Sequence, residues 1–392
     1  MSGGPGNLLF VVNFQANTGY AWDYFERLFA TIADRVATHG VRAFVAYPRI
    51  AEPPGTLEGS VAEAVELNAS LDTVGSRRST ARFVRDHGIR LVYYTDRPTW
   101  RLAYADLRRA GVRHIIAADH TSGGRTRPRG PRRWAKWVMA RLPGVGADRI
   151  ITPSDYVARR QVEVAMNPPD RVTRIYYGFS LRDHSYGRKT HEVFGVDPGR
   201  RIIGCACRAA PEKGVIHLLR AFDSVWRRME GDDRRPVLIY LGDGPQMPDL
   251  QEVRERLPSR ADIVFGGYRA GGVEVLKDAF LFAVPSVWQD ALPLSVMEPM
   301  SLGKPVIGSR VGGIPEMIRD GETGLLVPPG DEEALAEALA ALLRDAERAG
   351  EFGRRARERV AEEFSPDSEL DQLTALVEQG LGVRGNGGDA GA

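Results

Sequence analysis

Two cations follow a short apolar segment of the chain. Residues 201–207 have the composition of a buried strand, and residues 215–226 have the pattern of an amphipathic helix. Arg208 and Lys213 lie between the two segments. Arginine offers a fork of donors and lysine a compact charge, so this pair could bind a diphosphate. Taken alone, the pair also fits two solvated cations in a turn.

A pair of glycines follows a second apolar segment, residues 236–241. Gly242 and Gly244 flank Asp243 ahead of Pro245. Glycine lets a backbone approach a ligand closely, although this spacing differs from the GxGxxG pattern of dinucleotide sites. An ordinary turn is the alternative interpretation.

A third pattern places one carboxylate in a loop and another in a helix. An apolar segment ends at Pro285, Asp290 follows in a loop, and a helix is predicted to begin near residues 292–294. Glu298 then lies about one turn past the helix start. The first backbone N–H groups of a helix attract an anion, and a carboxylate can accept hydrogen bonds from two sugar hydroxyls. A structural ion pair would explain Glu298 equally well.

These residues require a scaffold of parallel strands. Short apolar segments alternate with helical patterns such as residues 20–36 and 331–348, with Asp331 placed as an N-cap, which predicts α/β domains. The polar segment 177–200 separates two such domains of roughly six strands each. Ligands of doubly wound sheets bind at the carboxyl ends of the strands. We therefore expect two facing domains with the site in the cleft between them.

Composition excludes several classes of protein. The chain has 392 residues with 53 basic and 51 acidic side chains, so the net charge of +2 does not support a nucleic-acid partner. Cys205 and Cys207 are too close to pair easily, which favours a reducing compartment. No apolar run reaches the about 18 residues of a membrane span, and the first residues lack a basic leader. These features predict a cytoplasmic location, and no metal-ligand spacing is evident.

The order and spacing of Arg208, Lys213, GDGP at 242–245, Asp290-x7-Glu298 and the segment 301–331 resemble the family 4 retaining glycosyltransferases. The resemblance covers the C-terminal half and is looser before it, where residues 17–19 replace a Gly-Gly loop and residues 114–120 end in an active-site His. It implies the GT-B fold, with two facing Rossmann-like, doubly wound parallel-sheet domains. The implied divisions are an acceptor-binding domain (1–182), a nucleotide-sugar-binding domain (183–360), a C-terminal helix packing back towards the first domain (361–380) and a disordered tail (381–392).

The resemblance also implies an activity. A hexose-type sugar would pass, with retention, from a nucleotide diphosphate sugar, most often a UDP-sugar, to a hydroxyl of a sugar-containing, natural-product or lipid-linked acceptor. Arg208 and Lys213 would neutralise the diphosphate without a metal or other cofactor, and Glu298 would hold the ribose. His120 would contact the transferred sugar. Asp290 replaces the usual Glu and would contact the sugar with a side chain one methylene shorter.

Further binding residues follow from the same resemblance. The donor-binding set comprises Gly19, Gly242, Gly244, Phe265, Tyr268, Ala291, Leu292, Leu294 and Ser295. A weaker acceptor-binding set comprises Asn17, Thr18, Trp22, Asp96 and Trp100. Two strand-end acids, Asp96 and Asp119, suggest a cationic acceptor such as an amino sugar.

Residues 125–141 combine seven basic side chains, no acidic ones and two tryptophans. Three interpretations stay open: a peripheral contact with the anionic inner face of a membrane, a soluble anionic acceptor, or a solvated basic loop leading into a core helix. Two alternative functions also stay open. They are a nucleotide-sugar epimerase of similar fold and a non-catalytic nucleotide-sugar-binding homologue.

Overall fold

The computed structural model describes residues 6–18, 21–181, 189–229, 231, 235–269 and 272–383. The chain divides into two compact units. The described part of the first unit comprises residues 6–18, 21–121, 125–176 and 367–383. The described part of the second comprises residues 122–124, 177–181, 189–229, 231, 235–269 and 272–366.

Each unit contains one parallel sheet. The first has the order β3-β2-β1-β4-β5-β6-β7, and its strands are β1 (Asn7–Val11), β2 (Ala43–Tyr47), β3 (Glu63–Glu66), β4 (Ile89–Thr95), β5 (His114–Ala118), β6 (Arg149–Thr152) and β7 (Val172–Arg174). The second has the order β10-β9-β8-β11-β12-β13, and its strands are β8 (Ile202–Ala206), β9 (Val237–Leu241), β10 (Ile263–Gly267), β11 (Leu281–Val284), β12 (Val306–Ser309) and β13 (Gly324–Val327). Both orders are doubly wound. The predicted α/β class with two parallel-sheet domains is confirmed.

Helices connect the strands in both units. Those of the first unit are α1 (Ala21–Ala37), α2 (Val74–Asp86), α3 (Tyr104–Ala110), α4 (Pro131–Arg141), α5 (Asp155–Glu163) and the C-terminal α13 (Pro366–Leu381). Those of the second are α6 (Thr190–Phe194), α7 (Val215–Arg228), α8 (Met247–Arg256), α9 (Leu294–Ser301), α10 (Ile314–Met317), α11 (Glu332–Arg344) and α12 (Ala346–Glu363).

The central strands are buried on both faces, which explains their continuous apolar sequences. Every residue of β2 and β9 is buried, and α7 presents Leu218, Leu219 and Phe222 to the core of the second unit. Asp331 is the N-cap of α11 as predicted, since its side chain accepts a hydrogen bond from the Ala334 N–H. The predicted helix 331–348 is wrong in length, because Asp345 ends α11 and caps α12.

The C-terminal helix differs in its start from the predicted range 361–380. It begins at Pro366 and packs within the first unit, where Arg35 pairs with Asp371 at 2.6 Å and Tyr24 bonds to Glu369. Of the predicted tail, only residues 381–383 belong to the described part of the chain. No helix among the described residues is both long and apolar enough to cross a membrane.

Candidate functional site

Lys213 and Asp290 form an ion pair in the second unit. The Lys213 ammonium lies 2.8 Å and 2.9 Å from the two carboxylate oxygens of Asp290. The Ser286 hydroxyl donates a third hydrogen bond to Asp290 at 3.0 Å. The side chain of Asp290 is 9% exposed and that of Lys213 is 19% exposed. Asp290 therefore orients Lys213, one of the two cations predicted to bind a diphosphate and called here, together with Arg208, the donor clamp.

The backbone around Lys213 explains how the two residues meet. Lys213 ends a short 3-10 turn after β8, and Gly214 follows with φ at +66°. A Cβ atom at Gly214 would lie closer than 3.0 Å to the carbonyl oxygen of Pro285, the residue after β11. The Val287 N–H donates to the Glu212 carbonyl at 3.0 Å. Glycine at 214 thus lets the loops after two neighbouring strands come into contact.

A second glycine holds the other side of the Asp290 loop. Gly312 has φ at +59°, and a Cβ atom there would lie closer than 3.0 Å to the backbone of Asp290. The Gly313 N–H donates to the Asp290 carbonyl at 2.8 Å. The Gly-Gly pair after β12 therefore fixes the backbone that presents the Asp290 carboxylate.

Arg208 follows β8 on the same edge of the sheet as Lys213. It pairs with Glu212 and leaves 65% of its side chain exposed. An exposed pair of this kind contributes little to stability. Its guanidinium can therefore change partner and bind an anion at small cost.

The predicted glycine pair packs closely against the backbone of the loop that follows β8. Gly242 and Gly244 have φ near +150°, and Cβ atoms there would overlap the carbonyl oxygens of Cys207 and Ala209. The Ala209 N–H also donates to the Asp243 carbonyl at 2.8 Å. The close approach observed is thus to the residues around Arg208, and an approach to a ligand stays a prediction.

Helix α9 begins at Leu294, within the predicted range, and Glu298 is half-buried one turn later. Ala291 and Leu292 are buried, and the Ala291 N–H donates to the Ser122 hydroxyl at 3.3 Å. That amide therefore already has a hydrogen-bond acceptor within the protein, whereas the sequence predicted that it binds the donor sugar nucleotide. Leu294 and Ser295 are half-buried in the first turn.

The residues predicted near the base differ in their environments. Phe265 lies on β10 and packs edge-on to Tyr240, with ring centroids 5.8 Å apart. Tyr268 is 77% exposed, so it is available to a ligand.

The structure brings Lys213 and Asp290 into direct contact and places Arg208 and Gly242 after adjacent strands.

In the first unit, His120 follows β5 and its ring packs against Phe25 at 4.7 Å between centroids. Its backbone N–H donates to Asp96 at 2.7 Å, and Asp96 has a left-handed backbone with φ at +51°. Burial lowers the pKa of His120, although Asp96 and Asp119 oppose this effect. Burial also raises the pKa of Asp96. The imidazole is thus neutral at pH 7, which suits orienting a sugar by hydrogen bonds.

Asp119 has a partner that sequence reasoning missed. The Arg160 guanidinium lies 2.9 Å from its carboxylate, and their side chains are 4% and 9% exposed. Gln161 and Thr121 also donate hydrogen bonds to Asp119. Burial alone would raise the pKa of Asp119, but Arg160 and Thr121 outweigh it and hold that pKa below its usual value. This neutralised carboxylate argues against the predicted cationic acceptor at Asp119.

A cavity of about 570 Å³ opens at the carboxyl ends of β4 and β5. Its walls come from α2, the loop after β4, the start of the basic segment, α4 and α5. The lining residues are Arg77, Asp96, Arg97, Pro98, Thr99, Trp100, Arg101, Leu102, Ala103, Asp119, Thr121, Arg125, Lys136, Gln161 and Ala165. Two residues of the predicted acceptor set, Asp96 and Trp100, therefore share one cavity.

The other predicted acceptor residues make contacts elsewhere. The Asn17 amide bonds to the backbone of residues 52–55, and the Thr18 hydroxyl donates to the Gln15 carbonyl at 2.6 Å. Trp22 stacks on Phe14 at 4.4 Å between ring centroids. These contacts shape the loop after β1. Gly19 lies outside the described residues.

Helix α4 differs from the core helix proposed for the basic segment. Only Ala140 in it is buried, whereas Trp134 is 68% exposed and Trp137 is 41% exposed. Arg127 in the preceding loop pairs with Glu163. The interpretation of residues 125–141 as a solvated basic loop leading into a core helix is therefore wrong about the helix, which is mostly exposed.

Among the described residues, no three His, Cys, Asp or Glu side chains are grouped so as to hold a metal ion. Metal-independent transfer stays a prediction.

Comparison with known proteins assigns both halves of the chain. Residues 188–359 match the model of the glycosyl transferases group 1, and residues 25–183 match that of glycosyltransferase family 4. Alpha-maltose-1-phosphate synthase of Mycolicibacterium smegmatis is 30% identical over 348 residues, covering 81% of this chain and 83% of that protein. A GDP-mannose-dependent alpha-(1-6)-phosphatidylinositol monomannoside mannosyltransferase of the same organism is 28% identical over 298 residues, covering 72% and 74%.

The fold has a counterpart among solved structures. Anabaena HepE, crystallised in complex with UDP-glucose, superposes with a TM-score of 0.71 at 18% identity over 95% of this chain and 100% of that chain. At this identity the similarity concerns the fold alone. Together with the two family models, it shows that the chain is a GT-B glycosyltransferase and belongs to glycosyltransferase family 4.

Proposed function

We propose that the chain transfers a hexose-type sugar, with retention of configuration, from a nucleotide diphosphate sugar to an acceptor hydroxyl. The observation that carries this proposal is the pair of the half-buried Lys213 with the buried Asp290 at the carboxyl edge of the second sheet. A lysine held there by a single carboxylate can exchange part of that contact for a phosphate oxygen. Arg208, which is mostly exposed, is the second cation able to reach the diphosphate.

In this mechanism the protein stabilises the departing nucleotide diphosphate by charge. Lys213 and Arg208 neutralise it, and the start of α9 adds the positive end of its helix dipole. The donor phosphate serves as the base for the incoming hydroxyl, so no protein general base is assigned. His120, neutral at pH 7, orients the transferred sugar. Glu298 accepts hydrogen bonds from the ribose hydroxyls.

For the donor we favour a UDP-sugar, with GDP- and ADP-sugars as the alternatives. HepE, which shares the fold, was crystallised with UDP-glucose, whereas one relative is named as GDP-mannose-dependent. The two names specify different nucleotide bases, uracil and guanine. In this chain, the exposed Tyr268 is one of the residues that would face the base.

Calorimetric titration with UDP, GDP, ADP, dTDP and their common sugars, without metal, tests the donor site. We expect one diphosphate to bind selectively to the full chain and to lose its binding in Lys213→Ala. Arg256→Ala is the matched control, because Arg256 is an exposed cation of the same unit that pairs with Glu252 on α8. Equal binding by Lys213→Ala and the unaltered protein would contradict the clamp.

Product analysis separates the two alternative functions. An epimerase would convert the donor sugar without any acceptor, and a non-catalytic homologue would bind the donor without turnover on any acceptor. Asp290→Glu adds a test of the motif, because the added methylene restores the residue usual in the family. We expect it to alter the donor preference or the transfer rate, and an unchanged donor profile would show that the shorter acid is neutral.

The proposed acceptors are glycans, glycosides or lipid-linked sugars, and α4 favours a peripheral membrane contact. The helix exposes Trp134 and Trp137 beside several arginines, an arrangement typical of helices that bind anionic lipid surfaces. Cosedimentation with vesicles containing an anionic phospholipid should be weaker for Trp134→Ala than for the unaltered chain. Equal sedimentation of the two proteins would contradict a membrane contact through α4.

A further inference from the structure

We propose that the cavity at the carboxyl ends of β4 and β5, lined by Arg77, Arg97, Arg101, Arg125 and Lys136, binds a phosphate ester group of the acceptor. The inference rests on the proposed function, because it takes this cavity as the acceptor site. It narrows the acceptor class from sugars in general to phosphorylated ones.

The charge of the walls is the first argument. Five cationic side chains line the cavity and only two carboxylates, Asp96 and Asp119, face them. Asp119 is already neutralised by the buried Arg160 at 2.9 Å. The Asp96 carboxylate accepts a hydrogen bond from the His120 N–H at 2.7 Å and supplies at most one negative charge. The carboxylates therefore leave most of the cationic charge uncompensated.

The partners of the five cations are the second argument. Arg97 and Arg101 share one carboxylate, Asp72, which lies outside the lining at 3.8 Å and 2.7 Å from them. Two guanidinium groups with one acid leave one positive charge in excess.

The other three cations are anchored by neutral oxygens. Arg77 donates to the Leu71 carbonyl at 3.2 Å, and Lys136 donates to the Val164 carbonyl at 3.2 Å. The Arg125 guanidinium lies 3.5 Å from the Thr121 hydroxyl oxygen. Within the described part of the chain, no carboxylate lies within 4.0 Å of Arg77, Arg125 or Lys136. These contacts hold the cations in place without cancelling their charge. A phosphate ester, with oxygens that accept several charge-assisted hydrogen bonds, suits this arrangement.

Size and shape support a small phosphorylated sugar. A volume of about 570 Å³ falls in the range of small-molecule sites. Trp100 is among the lining residues, and an aromatic side chain can pack against a sugar ring. A neutral sugar would leave the excess positive charge of the lining uncompensated, and an amino sugar would be repelled by it.

The test separates this cavity from the donor clamp. We would titrate the full chain carrying Lys213→Ala and Arg208→Gln with inorganic phosphate, glucose 6-phosphate and glucose, so that neither cation of the donor clamp can bind the phosphate. We expect glucose 6-phosphate to bind at least about tenfold more tightly than glucose. Adding Arg77→Gln and Lys136→Gln should weaken phosphate binding by roughly tenfold or more. Arg133→Gln, an exposed cation on the same helix as Lys136, should leave it within about twofold.

Two further titrations identify the source of the phosphate. Binding of phosphatidic acid vesicles that is lost in Arg77→Gln/Lys136→Gln, but not in Trp134→Ala, would assign the cavity to a lipid headgroup. Binding of glucose 6-phosphate alone would assign it to a soluble sugar phosphate. No phosphate binding, or equal binding by the cavity variants, would overturn the inference. UDP titration of Arg77→Gln/Lys136→Gln in a chain that keeps Arg208 and Lys213 reports the donor site independently, so failure of the proposed function would be seen separately.

Discussion

Replacing either partner of the Lys213–Asp290 pair should lower the free energy of unfolding of the second unit. Replacing both partners should lower it little more than replacing one. The perturbations are Asp290→Asn, which keeps the size of the side chain, Lys213→Met, which keeps most of the stem, and the two together. Each single change leaves one partner of a nearly buried ion pair without its counter-charge. The double change leaves neither.

The magnitude follows from the exposure of the two side chains. Removing one partner of a fully buried pair costs about 3–5 kcal/mol. About a fifth of Lys213 is exposed, so water can solvate part of its stranded charge, and Ser286 still bonds to residue 290. We therefore expect about 2 kcal/mol for each single variant. At about 2–4 °C per kcal/mol for a domain of this size, the melting temperature should fall by about 4–8 °C.

Calorimetric melting of the four proteins under one condition gives the coupling. We expect the double variant to melt close to the two singles, with a coupling free energy of at least about 1 kcal/mol. Glu252→Gln serves as the control, because its partner Arg256 is exposed and such pairs contribute about 0–1 kcal/mol. Additive losses in the double variant would refute the view that Asp290 orients Lys213.

Three further predictions test single positions. Gly214→Ala should lower the free energy of unfolding by at least about 1–3 kcal/mol and weaken UDP binding in calorimetry, because φ is +66° and a Cβ would overlap the Pro285 carbonyl; binding equal to that of the unaltered protein would contradict this. Arg160→Met should cost about 3–5 kcal/mol in chemical unfolding, since it strands the buried Asp119 carboxylate, and a change under about 1 kcal/mol would show that Asp119 accepts a proton instead. The folded state keeps His120 neutral while the unfolded chain takes up a proton below pH about 6.5, so melting temperature should fall from pH 7.5 to 5.5, and less so in His120→Asn; equal falls would show that His120 does not contribute.

The sequence predicts the central strands well because both of their faces are buried. The predicted apolar segments 201–207 and 236–241 contain β8 and β9, which lie inside the second sheet and are almost entirely buried. The strand β3 has no such signal. It lies at the edge of its sheet, and three of its four residues are exposed, so its sequence EAVE resembles a surface loop. The sequence also gives little indication that Asp345 ends α11 and caps α12, because a cap between two helices leaves the pattern of apolar residues uninterrupted.

The sequence predicts the members of the candidate site better than their partners. Motif spacing identified Lys213 and Asp290 but not that they bond to each other, because 77 residues separate them and the contact depends on glycines at 214 and 312. The pairing of Asp119 with Arg160 and the cationic cavity were missed for the same reason. They join side chains from several separate elements, and no local pattern reports which cation will reach which acid.

Exposure separates two ion pairs that are otherwise alike. Asp290 with Lys213 and Asp119 with Arg160 each join a buried carboxylate near the carboxyl edge of a sheet to a cation. Arg160 is 4% exposed and also donates to Thr121, so it has no route to a ligand and serves to fix the wall of the cavity. Lys213 is 19% exposed and bonds to a single acid, so a diphosphate can compete for its remaining donor at modest desolvation cost. Of the two pairs, only Lys213–Asp290 therefore has the exposure that the proposed exchange of partners with a diphosphate requires.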